Sequence, residues 1–136
     1  MANVRKDMSD TYPYDFDDPE MSEAIKEARQ RLPELRRALE NDSRRIIPVV
    51  HQALVKARFV SKLTGANEHM WIEVIEFKGD NVLGTLANEP ENIPELKTGE
   101  EVLVEYDQIS DWAYREGDNT VGGFTVKVMQ SRGQEI

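Results

Sequence analysis

The fold of this chain depends most on residues 109–128, which read ISDWAYREGDNTVGGFTVKV. An apolar run containing Trp112 and Tyr114 is followed by a polar turn around Gly117, and then by a second run that begins near the only Gly-Gly pair. Two apolar runs separated by such a turn are typical of a β-hairpin. The second run stays open to two interpretations, because flexible glycines also allow residues 125–132 to form a short helix.

Residues 68–74, which read EHMWIEV, are the natural partner of that hairpin. Side chains alternate between the two faces of a strand, so His69, Trp71 and Glu73 share one face. Both faces are partly apolar, which favours a central strand. Period-two patterns predict further strands from residue 53, over residues 82–87 and from residue 102, with turns at 78–81 and 97–100.

A helix is predicted to begin at Asp18, which suits the N-cap, with Pro19 at the first helical position. Apolar residues then recur at steps of three and four, which indicates one core-facing stripe. The stripe contains Met21, Ala24, Ile25, Ala28, Leu32, Leu35 and Leu39. Pro33 removes one backbone hydrogen bond, so we expect the helix to kink or divide there.

The chain of 136 residues suits one hydrophobic core. We predict a mobile acidic-aromatic leader over residues 1–16, a single domain over residues 17–132 and a tail over residues 133–136. A helix followed by several short strands with tight turns predicts an α+β fold. The expected architecture is an N-terminal helix, kinked at Pro33, packed on a strongly curved antiparallel sheet or small β-barrel of five to six strands.

The absence of cysteine excludes disulfides, thiolate nucleophiles and cysteine-based metal sites. The first residues lack the apolar segment of a signal peptide, and no apolar run approaches the ~18 residues of a membrane span. We therefore expect a soluble cytoplasmic protein that has no membrane association, and no motif predicts a cofactor.

The net charge of −9 is unevenly distributed. Residues 1–18 carry −3, residues 19–58 carry +3 and residues 59–136 carry −9. A negative field repels phosphate backbones and attracts cationic partners, so nucleic acid is not an expected ligand. The ordinary interpretation, that acidic surface residues only maintain solubility, stays open beside the interpretation of a basic partner.

Several short motifs in a fixed order resemble the YegJ-like bacterial family, domain of unknown function 2314. They are Asp18-Pro19-Glu20-Met21, Ala24-Ile25-x-x-Ala28-Arg29, Leu32-Pro33, Val55-Lys56, Glu68-His69-Met70-Trp71, Asn88-Glu89-Pro90, Lys97-x-Gly99, Ile109-Ser110-Asp111-Trp112 and Gly122-Gly123-Phe124-Thr125. The resemblance spans about residues 17–130. It implies a small bacterial or phage-type cytoplasmic domain in which the helix and the sheet belong together. It supplies no catalytic residues, because the family has no assigned activity.

The best catalytic candidates are His69 and the nearby carboxylates Glu68 and Glu73, since a carboxylate can orient a histidine that acts as a general base. A structural role for His69 is the more ordinary interpretation, because no nucleophile or metal motif accompanies it. Only two histidines are present and no metal-binding spacing is found, so no metal site is predicted.

Gly122 and Gly123 either expose backbone N–H groups to a ligand or form a bulge or turn that needs a positive φ. Asp111 is expected to cap a bend by accepting a hydrogen bond from the backbone two residues on, while Trp112 packs inward. The functional alternative is that Trp112, Tyr114 and Trp71 form an aromatic surface for a partner.

The sequence therefore favours a non-enzymatic binding protein, such as an immunity or inhibitor protein that engages a basic protein through its acidic sheet. The alternative is a small-molecule-binding or hydrolytic domain with a pocket near His69, Trp71, Asp111, Trp112 and Gly123. A basic helix face that binds nucleic acid through Lys26, Arg29 and Arg37 is disfavoured by the acidic body.

Overall fold

A computed structural model describes residues 18–133 of the chain. Within them the elements occur in the order α1 Pro19–Asp42, β1 Val50–Val60, β2 Asn67–Lys78, β3 Asn81–Leu86, β4 Glu101–Glu105, β5 Ile109–Glu116, β6 Asn119–Gly122 and α2 Phe124–Ser131. A short 3₁₀ turn, Tyr106–Gln108, joins β4 to β5. The predicted leader and most of the predicted tail lie outside the described residues.

Helix α1 begins as the sequence predicts. The Asp18 carboxylate accepts the Met21 N–H at 3.1 Å, and Pro19 occupies the first turn. The stripe residues Met21, Ala24, Ala28, Leu32 and Leu35 are buried. The helix is not divided at Pro33, and α1 is one run of 24 residues. Packing of Leu32 and Leu35 in the core, on either side of the exposed proline, holds the helix together there.

The six described strands form one antiparallel sheet in the order β4-β3-β2-β1-β5-β6. Register shifts interrupt the pairing of β2 with β3 and of β1 with β5, and such bulges bend and twist a sheet. Strands β4 and β6 remain edges, so the sheet is curved but open, and the closed barrel considered from the sequence does not form.

One face of the sheet, the helix face, packs against α1. Val55, Ile72 and Trp112 are cross-strand partners on this face, and all three are fully buried. The indole Nε1–H of Trp112 donates to the carbonyl oxygen of Ala28 at 2.8 Å, which fixes α1 directly above β5. The core therefore lies between α1 and the central strands.

The segment after β6 is a helix, which resolves the alternative left open by the sequence. Gly122 has φ +92° and Gly123 has φ +72°, and these left-handed conformations end the strand. The Gly123 N–H then donates to the Trp112 carbonyl at 2.7 Å, and α2 starts at the next residue.

Helix α2 returns the chain to the start of α1. The Arg132 guanidinium donates to the Asp18 carboxylate at 2.7 Å and to Glu20 at 3.1 Å. The two ends of the described domain are therefore joined by an ion pair. Neither helix in residues 18–133 is long and apolar enough to cross a membrane.

Replacing Gly122 with alanine tests the strand-to-helix junction. A Cβ at this position would lie 2.3 Å from the Trp112 carbonyl oxygen, in addition to the strain of a positive φ. We expect Gly122→Ala to lower the free energy of unfolding by roughly 2–4 kcal/mol. Gly117→Ala is the matched control, because its φ is also positive but its Cβ would meet nothing within 4 Å. The control should lose about 1 kcal/mol of the free energy of unfolding. If urea denaturation shows equal losses for the two variants, the close approach of Gly122 to the Trp112 carbonyl is contradicted.

Candidate functional site

Asp111 is a buried carboxylate with four hydrogen-bond donors. Its Oδ1 accepts the N–H groups of Trp112 at 2.8 Å and Phe124 at 2.9 Å. Its Oδ2 accepts the N–H of Thr125 at 3.0 Å and the hydroxyl of the same residue at 2.5 Å. The sequence interpretation placed the bond within a local bend, whereas the carboxylate caps α2, which starts 13 residues later and has no side-chain cap of its own.

This cap favours the interpretation of Gly122 and Gly123 as a junction that needs a positive φ. The amides that follow the glycine pair are bound by Asp111 rather than open to a phosphate or another anion. The pair serves the positive φ values that the junction needs. Both glycines therefore have a structural role.

The three aromatic residues considered as a partner surface do not lie together. Trp112 is fully buried on the helix face. Its ring centre lies 5.3 Å from that of Phe124 in an edge-on contact and 6.1 Å from that of the half-buried Tyr114 in a stacked one. Trp71 lies on the opposite face of the sheet, with the Lys56 ammonium 5.7 Å from its ring centre. Trp112 packs inward, as the ordinary interpretation expected.

His69 contacts a serine. Its Nδ1 lies 3.0 Å from the Ser110 Oγ, and Ser110 is itself fully buried. The two neighbouring carboxylates have other positions: Glu68 accepts the N–H groups of Glu91 and Asn92, and Glu73 is exposed to solvent.

The surroundings of His69 favour its neutral form. Burial, together with the positive charges of Lys56, Arg58 and Arg29, lowers the pKa of His69 to about 3. A base with so low a pKa removes protons poorly at neutral pH. His69 is therefore poorly suited to act as a general base. Among residues 18–133, no group of His, Asp and Glu side chains is arranged to hold a metal ion.

A second candidate surface lies on β2, β3 and β4, on the side of the sheet away from α1. Cross-strand partners share a face, and two rows of partners cross these strands. One row is Glu73, Thr85 and Glu101, and the next is Glu76, Leu83 and Leu103. Glu105 extends the surface on β4. We call it the acidic outer face and define it by Glu73, Glu76, Leu83, Glu101, Leu103 and Glu105.

The acidic outer face combines exposed carboxylates with an exposed apolar centre. All four glutamates are exposed, and Leu103 retains 54% of its accessible surface. None of the ion pairs formed between residues of the described part of the chain involves these four carboxylates. Their negative charge therefore surrounds Leu103 at the surface. The Glu105 carboxylate also accepts the Gln108 N–H, and Lys78 lies in the same cross-strand row as Glu105.

The sequence interpretation identified Glu73 but missed the rest of this surface. The apolar alternation that predicts a strand from residue 102 belongs to its buried side, with Val102 and Val104. The same alternation places Glu101, Leu103 and Glu105 on the other side, and an apolar residue between two acidic ones was the available signal. The neighbours of Leu103 on β2 and β3 depend on register, which a single sequence does not fix.

The family model described as "Uncharacterized protein conserved in bacteria (DUF2314)" matches residues 18–135. The chain belongs to this DUF2314 family. The matched region covers both helices and all six strands, so the family corresponds to the whole described fold.

Two curated relatives of this DUF2314 chain are bacterial proteins. A protein named "Putative ankyrin repeat protein" from Neisseria meningitidis serogroup B is 37% identical over 119 residues, covering 86% of this chain and 46% of the relative. The "Uncharacterized protein YegJ" of Escherichia coli K12 is 28% identical over 116 residues, covering 82% of this chain and 67% of the relative. The chain thus spans about half the length of the Neisseria protein. No solved structure matches the chain significantly.

Asp111→Asn should test the buried cap of α2. In the variant, the NH₂ group of asparagine would face N–H donors that bond to a carboxylate oxygen in the wild type. These buried donors would then be left unsatisfied. We expect a loss of about 3 kcal/mol in the free energy of unfolding, measured by urea denaturation. Asp118→Asn is the control, because Asp118 is exposed in the β5–β6 turn, where asparagine is well tolerated. A loss in Asp111→Asn no larger than in the control would contradict the cap.

The lowered pKa of His69 predicts a pH-dependent stability. Above about pH 6.5 the side chain is neutral in both states and contributes no pH dependence. As the pH falls from 6.5 towards 3, only the unfolded chain gains the proton, so the folded state loses stability. Between pH 7 and pH 4 the wild type should lose roughly 3 kcal/mol more than His69→Gln does. His51→Gln, at an exposed position, should retain the wild-type profile. Parallel profiles for wild type and His69→Gln would refute the assignment.

Proposed function

We propose that this DUF2314 domain is a non-enzymatic binding protein that holds a basic protein partner on the acidic outer face. The observation that carries the proposal is Leu103, a large apolar side chain left half exposed among glutamates that make no ion pair within residues 18–133. An apolar centre with a charged rim is the usual composition of a protein interface.

The charge of the surface gives the chemistry of the partner. Four carboxylates around Leu83 and Leu103 attract lysine and arginine side chains and repel phosphate. The partner is therefore a basic protein rather than a nucleic acid. One concrete form of this function is an immunity or inhibitor protein that neutralises a basic toxin or enzyme in the cytoplasm.

The longer relative supports the same class of function. The Neisseria protein bears the name of an ankyrin repeat protein, and such repeats stack into extended protein-binding surfaces. A DUF2314 domain beside such repeats fits a role in protein recognition.

The alternative, a hydrolytic or small-molecule site near His69, Trp71 and Trp112, has less support. Trp112 and Ser110 are fully buried, and the pKa of His69 is about 3. No substrate reaches a fully buried hydroxyl without rearrangement of the core. The binding function accounts for more of the described surface.

The proposal is tested by removing two charges from the acidic outer face. We would immobilise the wild type, Glu73→Gln/Glu101→Gln and the control Glu23→Gln/Glu91→Gln, which loses the same charge at exposed positions elsewhere. Each is exposed to bacterial lysate at about 50 mM and about 500 mM salt, since high salt screens surface charge. At low salt the wild type and the control should retain basic proteins, and Glu73→Gln/Glu101→Gln should not. At high salt none of the three should retain them.

A retained partner is then purified and titrated against the three proteins by calorimetry. Its affinity should fall about tenfold for Glu73→Gln/Glu101→Gln and stay within about twofold for the control. Equal binding by the two double variants, retention that salt does not weaken, or no protein retained by the wild type would overturn the proposal.

A further inference from the structure

Strand β4 has one hydrogen-bonding edge that faces away from the sheet. Tyr106 N–H donates to the Asp80 carbonyl at 3.1 Å, and Leu86 N–H donates to the Glu100 carbonyl at 2.9 Å. Bonded and non-bonded pairs alternate along an antiparallel ladder. The even-numbered residues of β4 therefore bond to β3. The backbone N–H and C=O groups of Glu101 and Leu103 point to the open edge.

This edge is short and well defined. Within residues 18–133, no strand pairs with the outer side of β4. The Glu105 N–H already donates to the Gln108 side chain at 2.8 Å, which closes the edge at its C-terminal end. Glu101 and Leu103 thus supply the available donors, and their side chains belong to the acidic outer face.

The charges at this edge disfavour a second copy of the chain. An antiparallel pair of β4 strands centred on Leu103 would place Glu101 of each copy opposite Glu105 of the other. Like charges in directly opposite positions destabilise a strand pair, and charged edges are a common protection against self-association. A strand with lysine or arginine at the same positions would form favourable pairs instead.

We propose that the basic partner binds by strand addition, in which one of its extended segments pairs antiparallel with β4 as a seventh strand of the sheet. The inference rests on the proposed function and names its mode of recognition. The segment carries basic, apolar and basic side chains at alternate positions, opposite Glu105, Leu103 and Glu101. Its intervening side chains are apolar, because they lie beside Val102 and Val104 at the margin of the core.

The probe is a synthetic peptide, Thr-Lys-Val-Leu-Val-Lys-Thr, with both ends blocked. Two methylated forms keep its side chains and charge. The first is N-methylated at Leu and both Lys, whose N–H groups would bond to β4. The second is N-methylated at the two Val residues, whose N–H groups would point away. Binding to the full chain is followed by NMR titration at low salt.

Strand addition predicts that the first methylated peptide binds about tenfold more weakly than the parent, since backbone hydrogen bonds are lost. The second should bind within about twofold of the parent. The amide hydrogens of Glu101 and Leu103 should exchange about tenfold more slowly when the parent peptide is bound. Those of Val102 and Val104, already bonded to β3, should change little.

The outcomes separate the mode of binding from the proposed function. Suppose that all three peptides bind the wild-type domain with equal affinity and leave the exchange of the Leu103 amide hydrogen unchanged. If all three also bind the Glu73→Gln/Glu101→Gln variant more weakly than the wild type, strand addition is wrong while charge-led binding stands. If the parent peptide causes no spectral change at millimolar concentration, strand addition is again wrong, and the lysate experiment decides on the acidic outer face. The N–H of Thr120 faces the open side of the other edge strand, because its neighbours Asn119 and Val121 bond to β5. Protection of Thr120 in place of Leu103 would also overturn the assignment to β4.

Discussion

The carboxylate of Asp111 joins β5 to the first turn of α2 in the interior of the protein. A buried charge is tolerated only when its oxygens are fully hydrogen-bonded, and here the donors come from β5 itself and from the first turn of α2. The next residue, Trp112, points to the other side and bonds to α1. Two consecutive side chains of one strand thus fix both helices on the sheet. The remaining strands are placed by the ladder that runs from β5 to β6 on one side and through β1, β2 and β3 to β4 on the other.

Local signals in the sequence were sufficient to predict the elements that are determined by residues close together in the chain. The N-cap at Asp18, the apolar stripe of α1 and the alternation in β2 all predicted what the structure contains. The sequence left the conformation of residues 124–131 open, because the amide donors at the start of α2 are capped by a carboxylate 13 residues earlier in the chain. Of the two alternatives predicted at Pro33, a kink or a division, the division does not occur, since tertiary packing on both sides of the proline outweighs one lost hydrogen bond.

The site residues divide in the same way. Alternation alone placed His69, Trp71 and Glu73 on one face, but it could not reveal that Trp112 lies on the opposite side of the sheet. Such facts depend on strand order and register, which involve residues distant in the sequence. Alternation in the sequence could identify only the β4 part of the acidic outer face, because its rows are assembled from three strands. What composition did predict is its sign, since most of the acidic excess lies after residue 59.

The ion pair of Arg132 with Asp18 and Glu20 has a consequence for the architecture of larger proteins. It brings the first and last described turns of the domain side by side, so a polypeptide that enters the fold also leaves it at nearly the same place. Domains with adjacent ends can be inserted into a surface loop of a host protein with little disturbance of the host. A domain of this kind can be inserted between other domains of a longer protein. Such an insertion would leave the outer edge of β4 unpaired and accessible.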